Sequence, residues 1–236
     1  MYNLMKLELR KNKMTNYIIS GVIITVIMLS LLYLFAYMPR FEDADPDLAM
    51  FGNYPSLISL TGSLNMACFS ILSSVMYSKI LVEDYNGKNV VLLFSYPIDR
   101  KTLYMAKVLV VVLFTFTAAL ASNLLIFTVL AITETVSPLI NDKFTLDTAG
   151  ILLRRSFFMA ALSTGIGSLS MFVGFRKKSI QVTIITALLL CSFLTNLVAS
   201  SGDHEVGILV PSIIVVVISV LLLNVLGERI KSMEVF

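Results

Sequence analysis

The sequence predicts an all-α integral membrane protein: six transmembrane helices in one domain covering 1–236, an interfacial helix over 1–16, and a short cytoplasmic helix between the second and third spans. Composition gives the class, since 57% hydrophobic residues, 14% charged residues and a mean hydropathy of +0.88 lie far outside the range of soluble domains. Run length gives the number of spans. Crossing about 30 Å of hydrocarbon takes roughly 20 apolar residues. Uncharged runs of that order occupy Tyr17–Met38, Leu57–Ser78, Val108–Thr133, Ser156–Phe175, Ser179–Gly202 and Val206–Gly227. With their flanking turns the expected spans are 17–38, 57–82, 104–133, 154–175, 179–202 and 206–227. None shows the two-residue alternation of a barrel strand, and lipid leaves no partner for an open backbone, so each run is a helix.

The placement of lysine and arginine gives the orientation. With both ends on one side, that side holds fourteen of the eighteen basic residues; Arg40, Lys143, Arg154 and Arg155 are left for the other. Both termini are therefore expected in the cytoplasm of a multi-pass plasma-membrane protein, and a bacterial one. The net charge of +3 is a topology signal, not a nucleic-acid one. Cys68 and Cys191 fall inside spans, where a thiol acts as a small apolar group.

Residues 1–16, MYNLMKLELRKNKMTN, set Lys6, Arg10 and Lys13 on one helical stripe with Tyr2, Met5 and Leu9 beside it, the pattern of a helix lying on a membrane surface. A plain basic topogenic tail is the competing reading. The first apolar run is too long for a signal-peptide core and is expected to be retained. The loop from Pro39 to Ser56 adds Pro46, Pro55 and the carboxylates of Glu42, Asp43, Asp45 and Asp47, which reads as a solvated acidic segment; a calcium site is the alternative. Arg154 and Arg155 breach the charge rule at the start of the fourth span. Either they snorkel to the outer headgroups or they face a cavity.

Within the fourth span, the small-residue run STGIGS places Gly165 and Gly167 where two helix backbones can approach closely. Asn65, Asn123, Asn196 and Asn224 put one amide in each of four spans. Such amides either bridge helices or line a translocation path.

The segment GKNVVLLFSYPIDRKTLYMAK, residues 87–107, lies between the second and third spans. Its VVLLF run is too short to cross. Tyr96 precedes Pro97 and is driven to extended geometry, so a helix through VVLLF ends near Ser95. Asp99 then accepts from the first amides of a helix that runs through Arg100 and Lys101 into the third span. An apolar face on this side of the membrane calls for a cover, from headgroups or from a partner protein.

Glu83, Gly87, Leu92, Leu93, Ser95, Pro97, Ile98, Arg100 and Lys107 together resemble the signature of the ABC-2 type permeases, the membrane subunits of ATP-binding-cassette exporters. In that family a glutamate leaves the second span, a glycine follows, and a leucine-rich short helix leads into Ser-x-Pro-[Val/Ile]-x-Arg with a lysine beyond. Lys88 departs from the small hydroxyl residue common after the glycine, and the small outer loops differ from members with large external domains. The resemblance implies a coupling helix docked on a cytoplasmic ATPase subunit, which binds the ATP and Mg, and a second permease copy completing a homodimer or heterodimer. No G-x-x-x-x-G-K-[ST] loop occurs in this chain, so no cofactor and no enzymatic activity are expected on it.

Other function classes fare worse on these residues. Ion-coupled transporters and channels normally bury charges at mid-membrane, whereas the six uncharged runs contain none. A membrane enzyme needs a base or metal cluster, and the single histidine, His204, sits in an outer Asp-His-Glu turn. The cargo expected is amphipathic or lipophilic, with antimicrobial or other peptides favoured, in export or self-protection. Drugs, lipid-linked glycans or sodium are alternatives by the same resemblance, as is a non-transporting immunity or sensor subunit.

Overall fold

In the computed structural model, residues 2–11, 14–38, 54–85, 100–136, 146–200 and 206–231 are described. They are helical apart from short turns. In chain order the helices are α1 (Tyr2–Lys11), α2 (Thr15–Tyr37), α3 (Tyr54–Tyr77), α4 (Arg100–Val136), α5 (Leu146–Lys177), α6 (Ile180–Ser200) and α7 (Val206–Lys231). A π-helical segment, Ser78–Val82, continues α3.

Six of these are long and apolar enough to cross a membrane: Thr15–Tyr37, Ser56–Val82, Arg100–Glu134, Ala149–Lys177, Ile180–Val198 and Gly207–Ile230. These match the six runs in the sequence; the second, third and fourth extend beyond the run at both ends, and the fifth is shorter, Ile180–Val198 against Ser179–Gly202. Among the described residues the third spanning helix starts at Arg100, earlier than the expected 104, and its 37 residues make a helix of about 55 Å at 1.5 Å per residue. It therefore outruns the hydrocarbon. The fourth differs from expectation at its start. Helix α5 begins at Leu146, so Arg154 and Arg155 lie two turns inside it and not at its end.

Burial separates the helices into a centre and a shell. In α3 and α5, 61% and 67% of the spanning window is buried, against 17–22% in α2, α6 and α7 and 39% in α4. The centre carries what close packing requires. Ser70, Ser74 and Ser78 lie one turn apart along α3 and are fully buried, each hydroxyl donating to a carbonyl of its own helix. Small side chains satisfied in this way let a second backbone come near. The shell is aliphatic on its outward faces, with Ile18, Val22, Leu189, Phe193, Val217 and Leu221 exposed. Such faces suit hydrocarbon and need no other cover.

The turn from α5 to α6 is the tightest connection described. Lys178 takes a left-handed conformation (φ 51°). Its amide donates to Phe175 O at 3.3 Å, and the Ser179 amide to Gly174 O at 3.2 Å. This pair of bonds closes the last carbonyls of α5 in a Schellman motif, here without the usual glycine. Gly174 faces the start of α6, where a Cβ would stand 1.7 Å from Thr183 Oγ1. The two helices meet there with no room for a side chain.

Candidate functional site

Two clusters of polar side chains join different helices among the described residues. The first lies where α1 and the end of α3 meet the first turns of α4. Lys107 is two turns into α4 and its side chain is fully buried. Its ammonium donates to Asp84 Oδ2 and, at 3.2 Å, to Ile80 O, and lies 3.7 Å from Glu8 Oε1. A buried cation survives only when paired and hydrogen-bonded. Its partners come from α1 and from the end of α3.

The end of α3 is shaped for this. The Glu83 amide reaches back five residues to Ser78 O at 2.9 Å, the wide turn of a π-helix. The extra residue shifts the register, bringing Asp84 and the Ile80 carbonyl to Lys107 and leaving Glu83 exposed. Tyr85, 8% exposed, closes the cluster and packs on Phe175 with ring centroids 5.5 Å apart. Burial raises the pKa of its phenol, and the carboxylates of Asp84 and Glu8 add to the effect. Tyr85 therefore stays a neutral ring beside the ion cluster.

On the other side, Leu4, Met5 and Glu8 of α1 turn towards the protein, while Lys6, Leu7 and Leu9 are exposed. Helix α1 is thus held to α4 through Glu8. Farther along the same end, Lys101 of α4 pairs with Glu228 of α7; both are well exposed, so the pair adds little stability.

Among the signature residues, Lys107 is at the centre of this cluster, Arg100 starts α4 half-buried, and Glu83 lies outside the cluster. Gly87, Leu92, Leu93, Ser95, Pro97 and Ile98 lie outside the described residues, as do the acidic loop of Glu42–Asp47 and His204. Sequence reasoning missed Asp84 and Glu8. Glu8 had a signal: it is the one acid of α1 and sits one turn from Leu4, on the helix face opposite the exposed Lys6.

The second cluster is a polar line through the middle of the bundle. Asn65 Nδ2 donates to Asn123 Oδ1 at 2.8 Å, with both residues buried. Ser122 Oγ donates to Asn65 Oδ1 at 3.3 Å, and Thr25 Oγ1 to Ser122 Oγ at 2.9 Å. Asn123 also lines a cavity of about 10 Å³ with Gly62, Arg155, Ser156 and Met159. The Ser156 hydroxyl is buried there and hydrogen-bonds to no protein group. The space is about that of one water molecule, with the Ser156 hydroxyl beside it. The line thus runs from α2, through α4 and α3, to α5. Of the other two amides, Asn196 is exposed and donates to Ser192 O of its own turn at 2.9 Å, and Asn224 is exposed on α7.

The two arginines part company. Arg154 is exposed, whereas Arg155 is 5% exposed and lines the small cavity. The small-residue run of α5 is used inside the chain: a Cβ on Gly167 would stand 2.0 Å from Ser73 Oγ of α3, and one on Gly165 would stand 2.6 Å from Val215 Cγ1 of α7. Both glycines are sites of close helix approach.

No protein-family profile matches the chain, and no solved structure does. It is similar to the uncharacterized protein YcbO of Bacillus subtilis strain 168, at 28% identity over 197 residues that cover 82% of this chain and 83% of that protein.

Proposed function

We propose that this chain is the membrane-spanning permease subunit of an ATP-binding-cassette exporter of the ABC-2 type, driven by a separate cytoplasmic ATPase. The observation that carries the reading is the position of the Lys107 cluster. Residues 86–99 connect Tyr85 to Arg100 in the chain, and Lys107 ties Asp84 to α4 and α1 at once. A push or pull on that segment is thereby delivered to α3, α4 and α1 together. A loop that only connected two spans would have no use for a buried cation with three partners.

In this reading residues 86–99 form the coupling helix in a groove of the ATPase, α1 lies at the membrane surface, both termini are cytoplasmic, and a second permease copy completes the transporter. The cargo is amphipathic or lipophilic, with peptides favoured. The exposed aliphatic shell supports uptake from the bilayer rather than from water.

The test is co-purification with a co-expressed ATP-binding-cassette ATPase. Pro97→Ala combined with Arg100→Glu is expected to insert normally and to lose the ATPase by about tenfold or more, the effect of some 1.4 kcal/mol. Undiminished recovery of the ATPase with this double variant would refute the docking role of the segment.

A further inference from the structure

The cavity of about 10 Å³ beside Asn123 is small, but its polar lining is one-sided. Asn123, Arg155 and Ser156 line it and are 2%, 5% and 3% exposed; Ile58, Phe127 and Met159 add apolar wall. The three polar side chains offer donors. Asn123 accepts from Asn65 through Oδ1, which leaves its NH2 group, and no described residue accepts from that group. Ser163, Thr164, Ser168 and Ser170 of α5 each donate a hydroxyl proton to a carbonyl of their own helix. The Ser156 hydroxyl does not; it is buried with no hydrogen-bond partner among the described residues. Arg155 has contacts of its own, but a guanidinium carries five N–H donors, more than one carboxylate takes up. No carboxylate is among the lining residues.

This donor set selects an occupant. Groups that can only donate, buried beside a positive charge, are costly until something accepts from them. A water molecule would have to turn its two hydrogens towards the Ser156 oxygen and the apolar walls. An anion accepts from every donor and offsets the guanidinium charge as well. The space is that of one solvent-sized particle, so carboxylate, phosphate and sulfate are too large for it. Among monatomic anions, walls such as Phe127 and Met159 favour those that shed water readily, chloride and bromide over fluoride.

We infer that the cavity is a binding site for one halide ion, chloride in the cell, held by the Asn123 NH2 group, the Ser156 hydroxyl and the Arg155 guanidinium. This site does not depend on the transport reading. The ion would tie α4 to α5 at the end of the Thr25–Ser122–Asn65–Asn123 line, and it would fix the Asn123 amide with Oδ1 towards Asn65.

Equilibrium binding of radiolabelled chloride to the full chain, purified in detergent with sodium gluconate holding the ionic strength constant, tests it. One saturable site per chain is expected, with bromide competing. At about ten times its Kd, chloride is expected to raise the melting temperature by about 3–6 °C over gluconate. Ser156→Ala is expected to weaken binding by about tenfold or more, the effect of losing one hydrogen bond to an ion. Arg155→Gln is expected to abolish binding, while Arg154→Gln, one residue away and exposed, leaves it unchanged. Absence of saturable chloride binding would overturn the inference and leave the cavity to water. Binding that Ser156→Ala and Arg155→Gln both leave intact in folded protein would overturn it by placing the ion elsewhere. Equal loss in Arg154→Gln and Arg155→Gln would do the same, since it would mark a diffuse charge effect.

Discussion

Replacing Lys107 with methionine keeps the length and most of the volume of the side chain and removes its charge. The Lys107 side chain is fully buried, and those of Glu8 and Asp84 are 9% and 18% exposed, so the variant leaves two carboxylates facing each other in a poorly solvated site. Breaking a buried ion pair from one side costs about 3–5 kcal/mol, most of it the desolvation of the charge left behind. For a chain of 236 residues, 1 kcal/mol moves the melting temperature by about 2–4 °C, so a fall on the order of 6–20 °C is expected. Thermal denaturation of the purified protein in detergent at neutral pH, followed by circular dichroism or by aggregation, reads it directly. The companion is the triple variant Lys107→Met, Glu8→Gln, Asp84→Asn, which removes all three charges and is expected to recover most of the loss, because uncharged replacement of a buried ion cluster is often close to neutral. A single variant melting within about 2 °C of the wild type would refute the assignment of Lys107 as a buried, charge-paired group. A triple variant melting as low as the single one would mean that the loss came from packing or from the bond to Ile80 O, not from charge.

Three further outcomes follow from the same geometry and the same melting assay. Gly167→Ala drives a methyl group into Ser73 and is expected to destabilise by about 1–3 kcal/mol, partly restored by Ser73→Gly; Gly150→Ala, with open space around its Cβ, is expected to be neutral or stabilising. Asn65→Leu strands the Asn123 amide and should cost about 1–2 kcal/mol, while Asn65→Leu with Asn123→Leu should cost less than the sum of the two single changes. Lys178→Gly relieves the left-handed turn between α5 and α6 and is expected to stabilise by about 1 kcal/mol.

Much of the fold was legible in the residues because a membrane reduces it to lengths and charges. An uncharged run as long as Tyr17–Met38 has no alternative to a helix in hydrocarbon. The start of α5 was misplaced for the same reason: Arg154 and Arg155 read as an end signal, yet Arg155 is accommodated inside the bundle beside Asn123, and the helix continues outward to Leu146. The candidate site was legible only in part. Lys107 stands in the signature, but its partner Asp84 does not, because a π turn advances the register by one residue and no residue type marks it.

What the sequence determined alone is therefore the number of helices, their approximate ends and the charge asymmetry between the two sides, since each is a sum over consecutive residues. The tertiary structure decided which amides meet, which glycines touch which helix, and which acids hold Lys107. Lipid is as apolar as a protein core, so a spanning helix such as α2 carries little apolar periodicity to say which side faces inward. Only the rotation of each helix against its neighbours could pair Asn65 with Asn123, 58 residues away, and leave Asn196 and Asn224 on the outside.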